Sequence, residues 1–139
     1  MPVDLSQDIR DRTFRFACAV ASLVAGLDYE YRMRSIVDQL LRSATSVGAN
    51  LEEAKAASSK REFLRYVQVS LRESREALYW LRICTELKLG RETELAQLRG
   101  ENEQISRILG AIVVSTKRRM LAGYVLFAFF ILNFAFLLS

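Results

Sequence analysis

The sequence predicts an all-α protein: an up-down antiparallel four-helix bundle with a hydrophobic C-terminal helical tail. Three observations predict it. Apolar residues recur at three- and four-residue spacing through most of the chain, the period of an amphipathic helix. One proline and six glycines in 139 residues are too few for a turn-rich β architecture, and no alternating strand pattern bounded by turn signals occurs. The charge is also divided abruptly. All 20 basic and 16 acidic residues lie between Asp4 and Arg119, and the stretch from Met120 to Ser139 holds none.

The first helix is expected from about Ser6 to Gly26, with Phe14, Ala17, Cys18, Ala21, Leu23 and Val24 on its apolar side and Gly26 and Asp28 ending it. A second, from about Tyr29 to Ala57, buries Ile36, Leu40, Ala44, Val47, Leu51 and Ala54. Its middle carries Ser43, Thr45, Ser46 and Gly48, weak helix formers whose small size allows a neighbour close approach or permits a kink. Ser58 or Ser59 can cap a third helix, Ser59 followed by Glu62 fitting a capping box, and this helix should run to about Leu89 with Gly90 as its stop. The fourth, from about Glu92 to Arg119, uses Leu95, Leu98, Ile105, Leu109, Ile112 and Val113. Short connections between long amphipathic helices make antiparallel neighbours.

The chain length fits one domain, so residues 1–119 are expected as the bundle and 120–139 as an appended tail. The uncharged run 120–138 would span roughly 28 Å as a helix, close to the ~30 Å hydrocarbon core of a bilayer. Lys117, Arg118 and Arg119 stand just before it, and such a cluster favours the cytoplasmic side. A membrane anchor with a cytoplasmic bundle is one reading; a helix buried in an oligomer and an extension without a selected role are the others. The charged residues 1–16 and the short apolar stretch 16–27 do not make a signal peptide. Cys18 and Cys84 fall at apolar positions and are expected as reduced core residues.

The chain has no histidine, which excludes Ser-His-Asp and Cys-His catalysis, histidine metal sites and the usual pH switch. A di-metal site in a helical bundle needs Glu-x-x-His motifs that are missing. No glycine-rich phosphate loop or Cys-x-x-Cys pattern occurs. Glu52 and Glu53 are adjacent and point apart, whereas Asn50 and Glu53 lie one turn apart and suit a buried polar contact with an arginine or backbone. No catalytic residue, metal or cofactor is expected, and the chain reads as a binding protein rather than an enzyme.

On the third helix, Phe63, Tyr66, Val67, Ser70, Leu71, Ser74, Ala77, Leu78, Leu81 and Cys84 share one arc that should face the core. Opposite lie Arg61, Arg65, Gln68, Arg72, Arg75 and Arg82, a basic stripe about 30 Å long at ~1.5 Å per residue. Planar guanidiniums along one face suit the phosphates of RNA or DNA. The alternative is a solvated or subunit-packing face, partly neutralised by Arg72–Glu76 and Arg82–Glu86 pairs. Tyr79, Trp80 and Ile83 fall at the outer edge of the same helix and suggest a subunit interface, or a surface covered by a loop.

Residues 39–83 carry three matching runs in order: Ser46, Val47, Asn50, Leu51 and Glu53; then Lys60, Glu62 and Phe63; then Glu76 on the amphipathic helix. In this the chain resembles the four-helix-bundle proteins encoded in 23S ribosomal RNA intervening sequences, over roughly residues 6–118. Ala54 stands where that family usually has glycine. The resemblance implies a non-enzymatic bundle that assembles into a ring, commonly a homopentamer. Related bundles are accessory subunits of reverse transcriptases in diversity-generating retroelements, where they bind protein and nucleic acid. The expected function is therefore a cytoplasmic homo-oligomeric scaffold for RNA or for a nucleic-acid-processing enzyme such as a reverse transcriptase. The alternative is a membrane-anchored oligomeric interaction protein, held through residues 120–138, with no nucleic-acid role.

Overall fold

The computed structural model describes residues 7–137. They form α1 (Gln7–Gly26), a 3-10 turn (Tyr31–Met33), α2 (Arg34–Ala56), α3 (Lys60–Glu86) and α4 (Glu92–Leu137), with no strand among the described residues. Each helix packs on the next in sequence and α1 closes the ring against α4, giving an up-down bundle. The expected start of α1 at Ser6 and the last tail residues, Leu138 and Ser139, lie outside the described residues.

The helices follow their apolar rows. α2 buries Val37, Leu40, Ser43, Ala44, Val47, Leu51 and Ala54, with Ile36 partly buried beside them. α3 buries most of the expected arc, from Phe63 through Val67, Ser70, Leu71, Ser74, Ala77 and Leu81 to Cys84, while Tyr66 and Leu78 at its edges are only half-buried. Burying each large aliphatic side chain stabilises the bundle by roughly 1.5–3 kcal/mol. Gly48 faces α1, where an added β-carbon would meet the Thr13 hydroxyl at 3.5 Å, an ordinary contact distance, so the approach of α1 does not require a glycine.

α1 is rotated from its expected orientation. Its inner row is Ile9, Thr13, Phe16, Val20 and Leu23. Phe14 is 67% exposed, Cys18 is exposed, and so is Ala21. The helix carries two apolar rows. The one with Ile, Phe, Val and Leu buries more apolar area than the one built mainly from alanine and cysteine. This orientation also places Arg10 and Arg12 on either side of the buried row. Arg10 donates from Nε and Nη2 to both Glu52 oxygens at 2.9 and 2.7 Å. Arg12 does the same to Glu101 at 2.5 and 2.9 Å. The two pairs latch α1 to α2 and to α4.

The ends of α3 follow local chemistry with small shifts from expectation. Ser59 caps it, its hydroxyl accepting from the Glu62 N–H at 3.1 Å. The Glu62 carboxylate reaches one residue further back than a capping box predicts, to the backbone N–H and hydroxyl of Ser58, both at 2.8 Å. The helix stops at Glu86, short of Gly90. Lys88 takes the left-handed conformation (φ 54°), Leu89 N–H donates to Cys84 O and Lys88 N–H to Thr85 O. That is a Schellman ending built on a lysine.

α4 does not end at Arg119. It runs as one helix through the three basic residues and on to Leu137, because no proline or capping signal interrupts it. Burial ends earlier than the helix: Thr116 is the last buried residue, and residues 121–135 are all exposed.

Polar side chains cross the core at two levels. The Ser70 hydroxyl donates to Val47 O of α2 at 2.7 Å. One turn on, the Ser74 hydroxyl donates to Asn102 Oδ1 at 2.8 Å and shares a 2.6 Å bond with Ser106, while Asn102 Nδ2 donates to Ser74 O at 2.7 Å. Asn102 and Ser74 are fully buried. Asn102→Ala leaves the Ser74 group short of a partner, so urea denaturation of the full chain should show a loss of about 2 kcal/mol. Ser74→Ala in the same background should add much less than it costs alone. Additive losses would show that the two side chains do not act as one unit.

Candidate functional site

The outer face of α3 is the most distinctive polar surface of the bundle. Arg61, Arg65, Arg72, Arg75 and Arg82 are all exposed, and none forms an ion pair among the described residues. Arg65 lies over the Tyr66 ring, 5.1 Å from its centroid, a cation–π contact that holds the guanidinium at the surface.

The expected neutralising pairs Arg72–Glu76 and Arg82–Glu86 do not form. Glu76 instead turns towards α2, where it accepts from Arg42 Nη2 and, at 3.2 Å, from Trp80 Nε1. Arg42 also stands 3.5 Å from Glu73. The arginine-first order at i, i+4 is the weaker orientation for a helical pair, and a cation from the next helix outcompetes it. The hydrogen bonds from Arg42 and then Trp80 hold the Glu76 carboxyl below the usual range. The stripe is therefore more strongly cationic than the sequence suggests.

Tyr79 and Ile83 of α3 line a groove of about 450 Å³ between α3 and α4, shared with Arg82, Glu86 and Leu87 at the end of α3 and with Arg99 and Glu103 of α4. Tyr79 is 55% exposed. Trp80 is not on this surface. It packs partly buried against the core, edge-on to Tyr79 with centroids 5.1 Å apart. The groove mixes both charge signs, whereas the outer line from Arg61 to Arg75 carries Arg61, Arg65, Gln68, Arg72 and Arg75 and no carboxylate.

The motif residues divide between structure and surface. Asn50 Nδ2 donates to Ser46 O at 2.8 Å, so the amide serves its own helix backbone. Glu53 is exposed and makes no ion pair, contrary to the buried contact expected of it. Glu62 closes the α3 cap, Phe63 is core, and Glu76 ties α3 to α2. Ala54 is 2% exposed, so the core accommodates a methyl there. Burial pushes the Cys84 thiol up, which keeps it protonated and unreactive, while Cys18 is exposed instead of in the core. Among the described residues no three acidic, cysteine or histidine side chains are placed to hold a metal ion.

Sequence reasoning missed Asn102, Arg10, Arg12 and Arg42. Each is polar within a charged helix, and only the three-dimensional neighbours distinguish it from solvated residues.

A family model described as 23S rRNA-intervening sequence protein matches residues 6–111. Among solved structures, a protein of unknown function from the S23 ribosomal protein family of Bacteroides thetaiotaomicron superposes with a TM-score of 0.70. It is 28% identical, and the match covers 76% of this chain and 97% of that one. No curated protein matches the chain.

Three carboxylates are held below their ordinary value of 4.5: Glu62 by the Ser58 backbone and hydroxyl, Glu76 by Arg42 and Trp80, and Glu101 by Arg12. Their folded values lie below the unfolded ones. Their contribution is therefore fully present above about pH 4.5 and is lost as pH falls through the folded values. Helix content followed by circular dichroism should be flat from pH 8 to 5, and thermal stability should fall below about pH 4.5. Glu101→Gln should cost about 0.5–1 kcal/mol at pH 7 and little at pH 3, the modest size reflecting the part-exposed pair. An equal cost at both pH values would remove Glu101 from this acid response.

Proposed function

The chain belongs to the 23S rRNA-intervening sequence protein family, and from that premise we propose that it is a non-enzymatic, self-associating helical scaffold tethered to a membrane by the outer half of α4. The supporting observation is the exposed apolar segment 121–135, none of whose residues packs on the bundle. Soluble monomers rarely expose contiguous apolar patches beyond a few hundred Å². A helix also suits a bilayer because its backbone bonds are internal. The one amide in the span, Asn133, donates to Phe129 O at 2.7 Å, which lowers its cost in hydrocarbon. The basic residues Lys117, Arg118 and Arg119 favour a cytoplasmic bundle.

Self-association is supported by apolar groups left on the outside of the bundle itself, Phe14 beside Cys18 on α1 and Tyr79 with Ile83 in the α3–α4 groove. The resemblance of the sequence implies a ring, commonly of five copies. The absence of histidine and the protonated Cys84 support a binding role. Cell fractionation tests the tether. The full chain should sediment with membranes and resist salt extraction, and a chain ending at Arg119 should be soluble. Both in the soluble fraction would overturn the reading.

The unpaired arginines favour a second reading, in which Arg61, Arg65, Arg72, Arg75 and Arg82 contact the phosphates of RNA or DNA, alone or with a partner enzyme such as a reverse transcriptase. Binding to a single-stranded RNA should then weaken steeply with salt. Arg65→Ala with Arg72→Ala should lower the logarithmic salt slope by roughly 1–2. Salt-independent binding, or binding unchanged by the double substitution, would overturn this reading.

A further inference from the structure

We infer that the end of the bundle from which α4 departs is a docking surface for anionic phospholipid headgroups, built by the α2–α3 connection as well as by the base of α4. The inference rests on the tether reading and names the lipid chemistry that the tether meets.

The register of the core sets this surface. Ser74 bonds Asn102 and Ser106, so α3 and α4 run antiparallel with those residues level. Counting outward from that level brings the first turn of α3 beside the turn that follows Thr116. Lys60 and Arg61 therefore stand at the height of Lys117, Arg118 and Arg119, about one helix spacing (~10 Å) away. Lys55, in the last turn of α2, extends the cluster across the end of the bundle. These six side chains come from three helices, all are exposed, and none makes an ion pair among the described residues.

The acidic groups at this end are largely engaged. Glu52 is gripped by both nitrogens of Arg10. Glu62 is turned onto the Ser58 backbone and hydroxyl. Among the described residues of this end, Glu53 and Asp8 are the exposed carboxylates outside an ion pair, and the six cations outnumber them. The tip between Ala56 and Lys60 holds only Ala57, Ser58 and Ser59, which brings no carboxylate to the surface.

The position of the apolar span selects a bilayer as the partner. It begins immediately after Arg119 in an unbroken helix, so its insertion carries the whole end of the bundle to headgroup level. The cations on α2 and α3 then lie within about a Debye length (~10 Å) of the anionic surface. Each basic residue so placed strengthens attachment roughly fivefold, the equivalent of ~1 kcal/mol.

The experiment uses the full chain with Cys18→Ser in nanodiscs, with a fluorophore on Ala56→Cys, an exposed position at the end of α2, read by a headgroup-attached quencher. A second version carries the fluorophore on Leu132→Cys and an acyl-chain quencher. The Leu132 fluorophore should be quenched in neutral phosphatidylcholine and in discs containing phosphatidylglycerol. The Ala56 fluorophore should be quenched at least twofold more in the anionic discs. That excess should vanish at high salt and in Lys55→Gln/Lys60→Gln/Arg61→Gln, whose exposed positions leave the fold intact. Ala56 quenching that is equal in both discs, or unchanged by the triple substitution, overturns the docking surface. If Leu132 is still quenched in that case, the tether stands. If Leu132 is unquenched while the anionic excess at Ala56 persists, the tether fails and the docking surface stands as a peripheral contact.

Discussion

The polar contacts of α3 with its two neighbours set the register on which the other surfaces depend. Leucines and valines drive the helices together, but apolar packing alone tolerates sliding by a turn. A buried hydroxyl that must find a particular carbonyl does not. Ser70 fixes α3 on α2 through Val47 O, and Ser74 fixes it on α4 through Asn102 and Ser106. A slip of one turn would leave these groups buried without partners, at a cost of about 1–3 kcal/mol for each. The register in turn sets which charges meet at the ends of the bundle and where α4 leaves it.

The latches at the surface act on the same geometry. Arg10–Glu52, Arg12–Glu101 and Arg42–Glu76 each join different helices. As part-exposed pairs they add little stability each. Their larger effect is on which carboxylates remain free. By engaging Glu76, Arg42 leaves Arg72 without the carboxylate four residues further along its own helix. A chain of net charge +4 thereby presents a face far more basic than its average.

The legibility of the sequence varied with the number of apolar rows on each helix. α3 has one row, and its core face, cap and arginine stripe were readable from spacing alone. α2 was nearly as clear. α1 has two rows, and periodicity cannot choose between Phe14–Cys18–Ala21 and Ile9–Phe16–Val20–Leu23, because the choice depends on which row fills the space left by the other helices. Glu76 was misassigned for a related reason. A neighbour four residues away is visible in the sequence, whereas Arg42, 34 residues away, becomes a competitor only once the chain has folded. Asn102 looked like a solvated residue of a polar stretch until Ser74 stood opposite it.

The continuity of α4 couples the two proposed surfaces. A flexible linker after Arg119 would let the bundle tumble above a membrane, and the orientation of α3 would carry no meaning. With the span inserted as proposed, an unbroken helix would transmit its direction into the bundle, and α3, antiparallel to α4, would climb away from the bilayer. Arg61 would then lie at the headgroups, with Arg72, Arg75 and Arg82 progressively farther out along a stripe about 30 Å long at ~1.5 Å per residue. Screening over ~10 Å means the bilayer engages only the near end of that stripe. In that arrangement the far arginines would stay available to a phosphate-bearing partner in solution, beside the groove lined by exposed Tyr79 and half-buried Ile83. Membrane attachment and an anionic soluble partner, as proposed, would use different ends of one helix and need not compete.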